Sequence, residues 1–410
     1  MPGPLVGVRV LDVTTVVLGP WAAQTLGDLG ADVIKIEPPE GDTTRRLGPA
    51  RHPGMAAFYL ACNRNKRSLV LDLKQAAGRG ALLRLAATAD VILHNFRPGP
   101  AARLGLEYEA FRAVNPRLVY CATYGFRARG PYGDKPAYDD VIQAAAGLAS
   151  LQASLVGEPR YVPTIVADKT SSLAVLSAVL SALFHRERTG EGQAIEVPMF
   201  ETVVAYVMVE HLYGETFVPP LETAGYKRIL NRWRRPFRTR DGYLAVVPYT
   251  DADWRAFFAV AGRPDLLADP RFTTLESRLA NIEVLYEELS KIVATRSSAE
   301  WLDALDRAGV PATIVNTLET LLTDPQLEAT GFWQIVDHPS EGTLRLPAIP
   351  TTYSRTPGEI RRLPPRLGEH SREVLREAGF GEAEIDAMLA SGATSVVPSP
   401  GAPGSRPPRS

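Results

Sequence analysis

One carboxylate stands apart in this chain. Asp168 follows a short apolar run and opens a long apolar stretch within residues 162–201, VPTIVADKTSSLAVLSAVLSALFHRERTGEGQAIEVPMFE. Such an acid is either a helix N-cap or a carboxylate aimed into a site from a helix N-terminus, where backbone amides favour negative charge. Cations are the second group with chemical potential. Residues 63–68 (NRNKRS) precede an apolar run, Lys74 follows it, Asn95, Phe96 and Arg97 follow the next run, and Arg103 lies in the turn beyond. Arginine matches phosphate oxygens as a fork and lysine as a point charge. Loops of this kind at the strand ends of a parallel sheet point to a phosphate-bearing ligand.

The elements that must position these residues follow from periodicity. Residues 8–13 (VRVLDV) and 31–37 (ADVIKIE) are strand-like, and residues 21–29 between them carry helical spacing stopped by Gly30. Strand, helix and strand in about thirty residues make a βαβ unit and a parallel sheet. The pattern recurs with strands at 68–73, 90–94, 118–123 and 193–198, and helices at 75–87, 108–114 and 138–151. The first 200 residues therefore read as a doubly wound α/β layer. Glu37 ends the second strand, where a nicotinamide enzyme keeps its ribose-binding acid. The turn after the first strand, TTVVLGP at residues 14–20, lacks the Gly-x-Gly-x-x-Gly that lets a pyrophosphate approach the backbone, so a dinucleotide is not expected. Residues 226–240 (YKRILNRWRRPFRTR) are strongly basic and lead into a strand at 243–247 and helices at 252–261, 279–294 and 299–308. Residues 226–330 read as a smaller α+β domain after a linker at 206–225. Residues 393–410, rich in Pro, Ser and Gly without apolar period, are expected to be disordered.

Bulk properties exclude several classes. A formal net charge of −1 gives no reason to expect a nucleic-acid partner. Cys62 and Cys121 are too few for a disulfide framework and lie in no metal-ligand spacing, so no metal is expected and a reducing compartment is. The N-terminus has no signal-peptide pattern, and the longest apolar run, residues 173–184, falls short of the ~20 residues of a membrane span. A cytoplasmic protein without a membrane partner is the expectation.

Several segments carry a family resemblance: GDLGADVIKIEPPEGDTTR, NRNKRSLVLDLK, NFRPGPAARLGLEYEAF, NPRLVYCATYGF, GPYGDKPAYDDVIQAAAGL and RERTGEGQ, then DGYLAV, DPRFTT and LGEHSREVL. In this order, from about residue 5 to 392, the chain resembles class III coenzyme A transferases, the formyl-CoA transferase family. The resemblance implies a Rossmann-like large domain (residues 1–205, resumed at 331–392) around the smaller inserted domain, and an interlocked homodimer. It implies no permanently bound cofactor; a coenzyme A thioester and a carboxylic acid would be the substrates. It places the family's nucleophilic aspartate at Asp168 and its coenzyme A contacts at Leu71, Lys74, Asn95, Phe96, Arg103 and Lys135. Acyl-CoA racemases of the same superfamily pair the aspartate with a histidine expected in residues 135–140, where this chain has Tyr138 and no histidine. A tyrosine with a pKa near 10 is a poor proton acceptor at neutral pH, so transfer is favoured over racemisation. The glycine-rich loop of formyl-CoA transferases is replaced by arginines and aromatics between residues 221 and 242. Arg45, Arg46, Arg228 and Arg232 are accordingly candidates for the distal carboxylate of a dicarboxylic acyl group such as succinyl.

Overall fold

The computed structural model describes residues 3–396. In chain order its first part runs β1 (Arg9–Val13), α1 (Leu18–Asp28), β2 (Asp32–Glu37), α2 (Ala57–Cys62), β3 (Lys66–Val70), α3 (Ala76–Ala86) and β4 (Val91–His94). It continues with α4 (Pro98–Arg103), α5 (Tyr108–Val114), β5 (Val119–Tyr124), α6 (Asp139–Ala145), α7 (Leu148–Val156), α8 (Val166–Thr189) and β6 (Gln193–Pro198). The six strands form one sheet in the order β3-β2-β1-β4-β5-β6, and every pairing is parallel. This is the doubly wound α/β arrangement expected. Strand order reverses between β1 and β4, and ligands of open α/β sheets bind outside the carboxyl ends of the strands at that switch.

The sheet is apolar at its centre because its strands are buried on both faces. Leu11, Ile34, Leu69 and Ile92 lie on one side, with Leu82, Leu85 and Phe111 from α3 and α5 packed over them. Leu71 belongs to this core at 1% exposure. Helix α8 has 24 residues and is long and apolar enough to cross a membrane by length and composition alone. Here it packs against α1, α6, β5 and β6 and buries Val175, Val179, Ala182 and Leu183.

The described residues form two compact units, 3–146, 163–204 and 328–396 in one and 147–162 and 205–327 in the other. Two boundaries thus differ from the expectation. The alanine-rich run read as one helix over 138–151 breaks at Gly147, whose φ of +89° belongs to the left-handed region, and the part beyond it joins the second unit. The stretch 206–225 also belongs to the second unit instead of serving as a linker. In that unit Phe237–Arg238, Tyr243–Val246 and Ala312–Ile314 form an antiparallel sheet. Trp254, Phe257, Leu285, Leu289 and Trp301 from three helices form its core with Phe237 and Leu244.

The tail also departs from expectation where it is described. Ala393 accepts the Asp72 amide at 2.9 Å, Thr394 Oγ1 donates to Val70 O at 2.7 Å, and both residues are buried. Hydrogen bonds to the end of β3 order this segment without any apolar period. The rest of the expected disordered tail, residues 397–410, lies outside the described residues.

Beneath the switch point lies a buried ionic layer. Lys35 Nζ donates to Asp42 Oδ2 at 2.9 Å and to Thr14 O at 3.0 Å. Lys66 Nζ reaches Asp12 Oδ2 at 2.8 Å, Pro20 O at 2.8 Å and Asn63 Oδ1 at 2.9 Å. Breaking such a buried pair from one side leaves an uncompensated charge and costs about 3–5 kcal/mol. Lys35→Met should therefore lower the free energy of unfolding by that amount, as read from the midpoint and slope of urea denaturation.

Candidate active site

At the carboxyl ends of β1, β4, β5 and β6 the first unit holds a cavity of about 340 Å³. Its lining brings together Thr15, Val16 and Leu18 after β1, and Asn95, Phe96 and Arg97 after β4. Thr123, Tyr124 and Gly125 at the end of β5, Tyr138 before α6 and Asp168 at the start of α8 complete most of the wall. Among the described lining residues Asp168 is the one acid and Arg97 the one cation, and no serine, cysteine, histidine or lysine is present.

Asp168 is not an N-cap. Ile165 holds that position without a side-chain cap, and Asp168 is the third residue of α8. Its backbone amide, one of the donors left free at a helix start, is taken by Asp139 Oδ1 at 2.9 Å. Asp139, at 6% exposure, also accepts from Gln143 Nε2 at 2.6 Å. No hydrogen bond reaches the Asp168 carboxylate among the described residues. Burial, reinforced by the Asp139 charge, pushes its pKa up to about 7. Both effects act against the helix dipole, which would favour the anion.

The expected coenzyme A contacts divide. Asn95 and Phe96 share the cavity with Asp168, whereas Leu71, Lys74, Arg103 and Lys135 are not among its lining residues. The Leu71 side chain is enclosed in the core and its amide is held by Glu37 O at 2.9 Å, so neither is open to a ligand. Lys74 and Arg103 are exposed. Lys135 is exposed as well and stacks its ammonium over Tyr132 at 3.9 Å.

The cations at the start of β3 serve the fold. Arg64 pairs with Asp28 at 2.7 Å, Lys66 with Asp12 at 2.8 Å, and Arg67 with Asp32, Glu373 and Glu377 at 2.6–2.8 Å. Residues that precede or open a parallel strand lie at its amino end, away from the ligand edge. Glu37 and Arg45 pair with each other, Nη2 to Oε2 at 2.7 Å, and Arg45 also donates to Tyr59 Oη and Pro365 O. Arg45 is thus excluded as a carboxylate receptor, and Glu37 as a ribose acid. Arg46 is exposed and donates to Glu40 O. In the second unit Arg228 donates to Tyr286 Oη at 3.1 Å and Arg232 pairs with Glu283 at 3.1 Å.

Sequence reasoning passed over Thr15, Val16, Tyr124 and Met199, which complete the cavity. Only the strand order, which sets the loops after β1 and β4 side by side, exposes them. Arg97, one of the cations expected after β4, does lie on the cavity wall, and its guanidinium donates to Asp134 O. His94 faces a neighbouring, more apolar cavity. Its Nε2 lies 2.6 Å from Tyr120 Oη, and burial lowers its pKa to about 4. Among the described residues no three His, Cys, Asp or Glu side chains are grouped to hold a metal ion.

The sequence profile of CoA-transferase family III matches residues 5–371. The chain belongs to CoA-transferase family III. A succinate–glutarate CoA-transferase of Agrobacterium fabrum is 35% identical over 384 residues, covering 91% of this chain and 95% of the relative. A succinyl-CoA:glutarate CoA-transferase of Mus musculus is 31% identical, covering 95% and 90%. The crystal structure of a CAIB/BAIF family protein from Brucella suis superposes with a TM-score of 0.77 at 32% identity, over 92% of this chain and all of that one. This family III transferase thus has a doubly wound parallel sheet with its cavity at the switch point.

The raised Asp168 pKa has a stability consequence. A carboxyl with a folded pKa above its unfolded value loses stability as pH rises from the unfolded pKa to the folded one. The loss is complete above about pH 7. Asp168→Asn should therefore melt at a higher temperature than the parent at pH 8. The gap should shrink as the pH falls to about 3, below both the unfolded and the folded pKa, where the parent carboxyl is largely protonated in both states. Calorimetric scans at the two pH values read this directly.

Proposed function

We propose that this CoA-transferase moves coenzyme A from an acyl-CoA thioester to a carboxylic acid through Asp168 as nucleophile. The observation that carries the reading is the cavity lining, in which Asp168 is the one acid and no serine, cysteine, histidine or lysine competes with it. The ionised Asp168 attacks the thioester carbonyl, forming a mixed anhydride and releasing the coenzyme A thiolate. The thiolate then attacks the aspartyl carbonyl, giving an aspartyl thioester and the free donor acid. The acceptor carboxylate attacks that thioester, forms a second anhydride and again releases the thiolate. Attack of the thiolate on the new acyl carbonyl yields product and restores Asp168. Each step exchanges one acyl bond for another, so no net proton is consumed.

Dicarboxylic acyl groups such as succinyl fit this reading, because relatives named for succinate and glutarate transfer align over nine-tenths of the chain. Arg97, the cation on the cavity wall, pairs with no acid among the described residues and leaves positive charge for an anionic part of the substrates. Among the other expected coenzyme A contacts, Lys74, Arg103 and Lys135 are exposed cations free to meet the phosphates of a long ligand. Racemisation lacks its base, since His94 is buried against Tyr120 and held neutral and Tyr138 is 72% exposed. With the reading goes an interlocked homodimer, which sedimentation velocity would show as twice the 44.5 kDa chain mass.

The test uses succinyl-CoA as donor and glutarate as acceptor. Asp168→Ala should abolish transfer, and the parent, trapped with hydroxylamine during turnover, should carry a modified Asp168 by mass spectrometry. Undiminished transfer by Asp168→Ala would refute the nucleophile. The pH profile is a second check. The anion is the reactive form, so kcat/KM should rise with pH to a plateau above about pH 7. Asp139→Asn removes the neighbouring charge and should move that limb to lower pH.

A further inference from the structure

We propose that Asn95 and Asp42 are positioning residues that hold the Thr15–Val16 backbone in a left-handed bend forming one wall of the Asp168 cavity. The inference rests on the reading of that cavity as the transfer site. Asn95 does not extend its side chain to a ligand; its amide closes a two-bond ring on Thr15. Thr15 donates its backbone N–H to Asn95 Oδ1 at 3.0 Å, and Asn95 Nδ2 donates to Thr15 O at 2.9 Å.

Asp42 holds the next residue. Its Oδ1 accepts the Val16 amide at 3.3 Å, the Thr44 amide at 2.9 Å and the Thr44 hydroxyl at 2.8 Å. Its Oδ2 takes Lys35 Nζ, which also donates to Thr14 O. Three successive residues, Thr14, Thr15 and Val16, are therefore pinned through their backbones by side chains from β2, from the turn after it and from the loop after β4.

The pinned conformation is one the chain would not choose. Val16 has φ +69°, and a β-branched residue at positive φ is a genuine outlier that persists only where its surroundings over-determine it. The loop is tight as well: a Cβ on Gly19 would fall 2.3 Å from the Thr14 side chain. Thr15, Val16 and Leu18 then stand in the cavity lining with Asp168. Without the Asn95 ring, Val16 relaxes to negative φ and the wall moves. A misplacement of about 1 Å at a reacting centre costs about 10²-fold in rate.

The experiment compares Asn95→Ala, Asn95→Ala with Val16→Gly, and the parent, using succinyl-CoA and glutarate for turnover and calorimetric titration with free coenzyme A for binding. Asn95→Ala should lower kcat about 10²-fold while the Kd for coenzyme A stays within about threefold. Glycine adopts φ +69° without the clamp, so adding Val16→Gly should restore at least about tenfold of the lost kcat. A coenzyme A Kd that weakens in step with kcat/KM at unchanged kcat, with no recovery from Val16→Gly, would overturn the proposal and make Asn95 a direct ligand. Asn95→Ala that melts like the parent but turns over like the parent would also overturn it. If Asp168→Ala transfers as well as the parent, the nucleophile reading fails instead; recovery by Val16→Gly still reports on the clamp.

Discussion

Lys35 and Lys66 carry their charges into the layer beneath the switch point with no exposed surface. Taking an ion out of water costs several kcal/mol, and its partners repay this only with close geometry and satisfied hydrogen bonds. Both lysines meet that condition by using loop carbonyls as well as carboxylates: Thr14 O for Lys35 and Pro20 O for Lys66. Burial alone would raise Asp12 and Asp42, yet the lysines outweigh it and hold both below the ordinary carboxylate range. The shape of the loop from Thr14 to Pro20 is therefore tied to the ionic layer. That loop forms one wall of the cavity, so a structural charge network and the Asp168 cavity share a boundary.

Two kinds of carboxylate sit within this one unit, and environment separates their roles. Glu37 accepts both nitrogens of an Arg45 fork, the Ser68 hydroxyl and the Asp42 amide. Burial pushes it up, but these partners more than compensate and its pKa is lowered. Asp168 is also shielded from water but has an acid for a neighbour, and its pKa rises to about 7. The satisfied acids build the fold. The unsatisfied one is the acid proposed as nucleophile.

The strands and the acid of the cavity lining were legible because a parallel sheet buries both faces and a lone acid before an apolar helix is conspicuous. Residues 193–198 and 108–114 were read to the residue. The cations were misread for a physical reason: a sequence shows that Arg64, Lys66 and Arg67 are charged, but not that Asp28, Asp12 and Asp32 lie across the fold to pair with them. Leu71 and Asn95 show the same limit at finer scale. Both lie in matching motifs, yet one is core and the other has its side chain closed onto Thr15. The bend at Val16 was invisible, since nothing in Thr-Thr-Val-Val announces a positive φ; only its clamps, distant in sequence, require it.

The poor environment of the Asp168 anion bears on the chemistry proposed for it. In the resting enzyme the carboxylate carries a charge that burial and Asp139 both oppose. In each covalent intermediate of the proposed cycle, anhydride or aspartyl thioester, the same side chain is neutral and that opposition vanishes. The penalty therefore falls on the free carboxylate and not on the acylated states. The difference favours attack, within the general rule that only interactions differing along the reaction path change its rate. An arginine beside Asp168 would do the reverse, stabilising the anion and weakening the nucleophile. On this account the fold keeps Arg45, Arg64 and Arg67 paired with acids and out of the cavity lining, and the one cation among the described lining residues, Arg97, turns part of its guanidinium to Asp134 O. The pairing of cations elsewhere and the isolation of Asp168 are then two results of one distribution of charge.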